Sequence, residues 1–191
     1  MCSMNEWIML AAGLVLTVGT GLFVASEFAL VNLDRHELET RDAAGEKGLR
    51  PTIKALRITS THLSSAQLGI TLTTLLTGYL VEPAVSSLLE DPLAAVGVPD
   101  SAVPAVGVVV GLVLATLVSM VIGELVPKNL ALAVPLATAK VVVPFQAAFT
   151  TTFRPLVLLL NNTANALIRA MGIEPEGGAS AAPAAPMSSP T

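Results

Sequence analysis

Residues 101–123 are twenty-three consecutive positions without a charged side chain, and the chain then reads Glu124, Leu125, Val126, Pro127, Lys128. A run of that length crosses a bilayer as a helix, because about 20 residues at about 1.5 Å each cover the hydrocarbon core. Residues 7–26 and 63–81 form two more uncharged runs of spanning length. Each is predicted helical, since an isolated strand leaves its backbone unpaired in lipid. The first is read as a mature span: residues 1–6 contain no basic residue, and the run is too long for a signal-peptide core. With 53% hydrophobic and 13% charged residues in 191 and a mean hydropathy of +0.73, the chain is predicted to be an all-α membrane protein.

Charge placement predicts orientation. Arg35, Arg41, Lys47, Arg50, Lys54 and Arg57 lie between the first two runs, and Lys128, Lys140, Arg154 and Arg169 follow the third. By the positive-inside rule the first loop and the C-terminus face the cytoplasm, while the N-terminus and residues 82–100 face outward. Trp7 and Tyr79 then fall near the outer interface, where amphipathic rings settle.

Beyond Lys128 the apolar stretches are short or interrupted by Arg154 and Pro155, which predicts juxtamembrane helices along the inner interface rather than a fourth crossing. Asn161, Asn162, Asn165 and Arg169 fall largely on one face there, opposite Leu156, Leu159, Leu160 and Leu167. Residues 1–174 are expected to form one membrane domain. Residues 175–191, rich in Gly, Ala, Ser and Pro, are expected to be a flexible linker or tail. Cys2 is the sole cysteine, so no intramolecular disulfide or thiolate metal site is expected.

Small residues recur every four positions in all three runs: Gly13, Thr17, Gly21; Ser65, Gly69, Thr73, Thr77; and Gly107, Gly111, Ala115, Ser119, Gly123. Most are expected to let helices approach closely. The end of the third stripe differs. Pro127 cannot donate to the carbonyl four residues earlier, which is that of Gly123, and the next side chain is the Glu124 carboxylate. Placing that charge at membrane depth costs about 2.5–3.5 kcal/mol on insertion scales, so it is read as functional. A freed carbonyl beside a carboxylate suits a hard cation.

Ser26, Ser64, Ser65, Gln67 and Thr71 are expected at similar depth, in the inner half. Mg²⁺ takes about six oxygens and retains water, and Na⁺ accepts a similar set. A hydroxyl bonded back to the preceding turn is the competing role, above all for Ser65 and Thr71. Glu27 is read as structural, reaching the interface or pairing with Arg35; Glu82 with Pro83 as a solvated helix end; and His62 as an interfacial residue.

The strings Phe23-Val-Ala-Ser-Glu-Phe-Ala-Leu30, Gln67-Leu-Gly-Ile-Thr-Leu72 and Gly123-Glu-Leu-Val-Pro-Lys128 resemble the transmembrane domain of the CorC/CNNM family, over roughly residues 5–174. The resemblance implies a homodimeric magnesium exporter, driven by sodium entry, with three membrane helices per subunit and a juxtamembrane belt. It implies that Ser26, Ser64, the Gly123 carbonyl and Glu124 contact dehydrated Mg²⁺. Many members carry two asparagines where this chain has Ile70 and Thr71, leaving Thr71 or Gln67 as the substitute ligand. Members normally continue into paired CBS domains that bind adenine nucleotide; nothing of that kind is recognised in this sequence, and the linker is where they would begin.

The expected function is therefore secondary transport, exporting Mg²⁺ across the plasma membrane with Na⁺ coupling. The alternative is a non-transporting anchor or dimerisation module in which Glu124 is a structural charge paired with Lys128. No catalytic constellation or phosphate loop is present, so an enzyme is not expected.

Overall fold

The computed structural model describes residues 4–99 and 101–172. It contains helices throughout and no strand among those residues. They are α1 (Met4–Val31), α2 (Arg35–Ala43), α3 (Arg50–Leu56), α4 (Thr59–Ala95), α5 (Val103–Ser119), α6 (Val126–Ala133), α7 (Pro135–Thr152) and α8 (Arg154–Ala170), with a π-helical segment, Met120–Leu125, joining α5 to α6. Three helices are long and apolar enough to cross a membrane: Met4–Val31, Thr59–Ala95 and the composite Val103–Ala133. The tail assigned to residues 175–191, the domain boundary at 174 and Cys2 lie outside the described residues.

All three spans run further than their uncharged cores. The charge pattern predicts a loop over residues 82–100, but α4 continues through Glu82, Pro83 and Pro92 to Ala95. Each proline removes one ladder bond without stopping the helix, because packing holds the turns beyond it. A methyl on Gly107 would stand 3.1 Å from Ser86 Oγ, and one on Gly111 3.2 Å from Ser86 N, so α5 is seated directly on this part of α4. Ser87 Oγ donates to Glu6 Oε1 at 2.8 Å, tying it to the start of α1 as well.

The third span differs most from its expected limits. The sequence puts Gly123 at the inner end of a span over 101–123, yet the helix carries on to Ala133, so Gly123 and Glu124 lie well inside it. The uncharged run marks where charge begins, not where the helix ends.

The spans are antiparallel neighbours with a definite register. Gly13 is packed under Val81, and a methyl on Gly69 would stand 2.6 Å from the Phe23 ring. Between them the Thr20 and Thr73 hydroxyls meet at 2.7 Å. The third span closes the bundle with Gly123 against Thr17 and Thr20, and with Pro127 against Gly21. The small-residue stripes thus serve packing within the chain, as expected, because close approach gives dispersion contact where lipid gives no hydrophobic drive.

Residues 32–58, which read from sequence only as a basic loop, fold into a cap. Asp34 Oδ1 accepts from His36 N at 2.7 Å and Glu37 N at 3.2 Å, starting α2. Leu38, Leu49 and Ile53 form a small core beneath it. Glu46 accepts from Arg41 Nε at 2.8 Å and from Lys140 Nζ at 3.1 Å, pinning the cap to α7. Those two cations hold the Glu46 carboxyl below its ordinary value, the Arg41 hydrogen bond first.

Helices α7 and α8 meet at 80°. Together they pass as one broken span, so the described residues hold three membrane-length helices, or four if the bent pair counts as one. On α8 the stripe turned inward is Val157, Asn161, Asn165 and Ile168, while Leu159, Leu160 and Leu167 are exposed. The opposition of asparagine and leucine faces therefore holds for Asn161 and Asn165, whereas Asn162 and Arg169 are exposed. Behind α4, a buried polar cluster ties α4 to α7: Gln146 Nε2 donates to His62 O at 2.6 Å, and Thr150 Oγ1 donates to Ser65 Oγ at 2.8 Å. His62, interfacial by the sequence reading, is thus buried in this cluster.

Candidate cation site

The π segment is where sequence and geometry meet. Val126 N donates to Val121 O, five residues back, instead of to Ile122 O. Pro127 then offers no donor to either Ile122 O, its partner in a π register, or Gly123 O, its partner in an α register. The proline therefore leaves the Gly123 carbonyl, or in the π register the Ile122 carbonyl, without the donor it would have had. Ile122 O faces α1, 3.4 Å from where a side chain on Gly21 would begin. An inserted π turn absorbs the proline without a break, and such turns cluster at functional sites.

Gly123 and Glu124 border a cavity of about 450 Å³ between α1, α4 and the third span. Its oxygen-bearing walls are Thr20 and Glu27 from α1, Thr74, Thr77 and Glu82 from α4, and Thr116, Ser119 and Glu124 from the third span. Ile70, Leu112 and Met120 supply apolar wall between them. Among the described residues, the carboxylates of Glu27, Glu82 and Glu124 make no hydrogen bond or ion pair. Glu124 is exposed and Glu27 and Glu82 are half-buried, so all three carboxylates are open to water or to a cation in the cavity.

Lys128 does not supply it. Its Nζ lies 4.8 Å from the centroid of the Phe28 ring, a cation–π contact, and no ion pair within 4.0 Å joins it to Glu124. Nor does Arg35 neutralise Glu27, as the sequence suggests: Arg35 Nε is 3.5 Å from Glu39 Oε1.

Of the residues singled out from sequence, the structure brings Gly123, Glu124 and Ser119 together and leaves the others elsewhere. Ser26 is fully buried with an unpartnered Oγ, off the cavity wall. It lies six residues beyond Thr20, about 9 Å along the α1 axis. Ser64 Oγ donates to Ser60 O at 3.1 Å, the back-bond that competes with any ligand role. Gln67 and Thr71 are exposed and absent from the wall. Sequence reasoning does not mention Thr20, Thr74 and Thr116, and it gives Glu27, Thr77 and Glu82 only structural roles. Their signal is spacing: Thr20, Val24 and Glu27 follow i, i+4, i+7 on α1, one helical face ending in an acid.

The profile of the cyclin M transmembrane N-terminal domain, CNNM, matches residues 11–185. The chain belongs to the CNNM family. It is 47% identical over 162 residues to UPF0053 protein MT1890 of Mycobacterium tuberculosis, covering 85% of this chain and 36% of that one. It is 36% identical over 163 residues to the uncharacterized protein MT1889 of the same organism, covering 85% and 46%. To UPF0053 protein YhdT of Bacillus subtilis it is 35% identical over 162 residues, covering 84% and 35%. The chain thus spans less than half the length of these curated relatives. CNNM membership makes it a transmembrane domain of that family.

A second cavity of about 450 Å³ lies on the other side of the π segment of this CNNM domain, walled by Gly21, Ala25, Ile122, Pro127 and Val142 among others. Thr138 is its one hydroxyl. It has no carboxylate to neutralise a cation, so the acidic cavity is the candidate site.

Proposed function

We propose that this domain is a secondary transporter that exports Mg²⁺ across the plasma membrane, coupled to Na⁺ entry, with the ion held at Glu124. The observation that carries this is the cavity itself: a carboxylate deep inside a membrane-length helix, beside a glycine whose carbonyl has lost its α-helical donor, unneutralised by any described basic side chain. Glu124 neutralises the ion, and the Gly123 carbonyl replaces part of its hydration shell. Ser119 and Thr20 offer hydroxyls nearby, Glu27 offers a second charge one end of the cavity away, and retained water completes the six oxygens that Mg²⁺ requires. Na⁺ competes for the same oxygens at lower charge, which would let inward Na⁺ displace outward Mg²⁺. The protein acts as a homodimer, as the family resemblance implies; Leu72, Leu75, Val109 and Leu112 on the exposed sides of α4 and α5 are apolar surface that lipid or a second copy would cover.

The test is Mg²⁺ efflux from loaded vesicles carrying the native chain, Glu124→Gln, or Lys128→Gln. Export through Glu124 requires that Glu124→Gln lose efflux at least about tenfold while dimer and fold persist, and that Lys128→Gln retain most of it. Equal, negligible flux in all three would return the domain to the role of a membrane anchor.

A further inference from the structure

We propose that the acidic cavity contains a second cation station, at the end away from Glu27, formed by the Glu82 carboxylate and the Thr77 hydroxyl and taking a hydrated divalent cation. The proposal rests on the transport function above and assigns the cavity a route as well as a site.

Helix register supplies the first argument. The Thr20–Thr73 contact at 2.7 Å fixes the two antiparallel helices at one level, and Gly123 packs against Thr17 and Thr20 at that same level. Glu124 therefore stands near the middle of the cavity. From there Glu27 is seven residues along α1 in one direction, about 10 Å, and Glu82 is nine residues along α4 in the opposite direction, about 13 Å. Carboxylates separated in this way cannot share one Mg²⁺, whose oxygen contacts are about 2.0–2.1 Å. The end at Glu82 is a separate place.

Thr77 supplies the second argument, independent of the acids. It is 4% exposed, lines the same cavity five residues before Glu82, and its Oγ1 has no hydrogen-bond partner. Thr17 and Thr20, buried on the facing helix, donate back to their own backbone at 2.9 and 3.1 Å, whereas Thr77, like Thr52 and Thr138 elsewhere, makes no such bond. A buried hydroxyl that forgoes this bond on a cavity wall that also carries an unpaired carboxylate is open to water or to an ion carrying water. Gly78 between them leaves the wall open, since a side chain started there meets no atom within 4 Å. By the charge pattern this end faces outward, which makes it the station a departing ion reaches last.

The experiment uses the full chain with Cys2→Ser and Gly78→Cys, reconstituted in vesicles and treated with a positively charged methanethiosulfonate. The introduced thiol is expected to react, and millimolar Mg²⁺ to slow the reaction about tenfold, as a cation seated beside it would. Adding Glu82→Gln or Thr77→Val should abolish that protection, whereas adding Glu124→Gln should leave it. An unreactive thiol, protection that survives Glu82→Gln, or protection lost only with Glu124→Gln would each overturn the second station. Failure of the export function is seen separately, in an efflux that Glu124→Gln does not change.

Discussion

Lys128 lies over the Phe28 ring, 4.8 Å from its centroid, one helical turn from a glutamate it does not pair with. A lysine beside a carboxylate ordinarily neutralises it; here the aromatic face of α1 diverts the ammonium, and Glu124 keeps its charge for the cavity. Replacing Phe28 by leucine is therefore expected to weaken export, by releasing Lys128 toward Glu124. Efflux that falls in Phe28→Leu and recovers in Phe28→Leu with Lys128→Gln would establish the diversion; no recovery would exclude it.

Glu27 lies on the same cavity as Glu124 and has no basic partner among the described residues. Glu27→Gln should lower the apparent affinity for Mg²⁺ about tenfold, with folding little changed, because a carboxylate at the cavity end attracts cations without anchoring a helix. A concentration dependence of efflux identical to that of the native chain would show Glu27 to be a bystander.

Pro127→Ala restores a backbone N–H within reach of Gly123 O and Ile122 O. The helix should gain stability while the site loses an oxygen, so the variant is expected to melt higher in detergent and to export less. Higher melting with full export would mean that the freed carbonyl does not contact the ion.

Gly69 faces the Phe23 ring so closely that a methyl there would lie 2.6 Å from it. Phe23 is in turn held against Phe145 and Phe149, with ring centroids 5.2 and 4.7 Å away, so it has little room to give. Gly69→Ala should destabilise the bundle by about 1–3 kcal/mol, the usual cost of overpacking, read as a lowered melting temperature.

Glu46 gives a pH signature outside the membrane helices. Its carboxyl is held below the ordinary value by Arg41 and Lys140, so the attachment of the cap to α7 is fully present above the unfolded carboxylate value and is lost as pH falls through the lower folded value. Proteolysis between α2 and α3 should accelerate at acid pH in the native chain. In Glu46→Gln it should be fast already at neutral pH and flat across that window.

The spans, their order and the irregular helix at Gly123 and Glu124 are legible in the sequence because each depends on local composition: length without charge, and a proline four residues after a glycine. The span ends are not, since Pro83 and Glu82 read as stops in isolation and only the seat of Gly107 and Gly111 on Ser86 carries α4 past them. The same limit governs the site. Whether Ser26 or Thr20 faces the acid depends on helix rotation and register, which the Thr20–Thr73 and Gly69–Phe23 contacts set across more than forty residues of chain. The folded cap over residues 32–58 is hidden for a similar reason, as its core needs Leu38 and Ile53 brought together.

Six residues wound as Met120–Leu125 in the wider turn carry a surplus that an α-helix would not accommodate. Were the surplus to relax, everything beyond it would swivel by about 100°, the angle of one residue. Pro127 and Ala131, buried against their neighbours, would be prised from their seats as Glu124 swung away from Thr20. The wall of the acidic cavity and the grip of α6 on the bundle are thus joined through one wide turn, so that a rotation there would disturb both together.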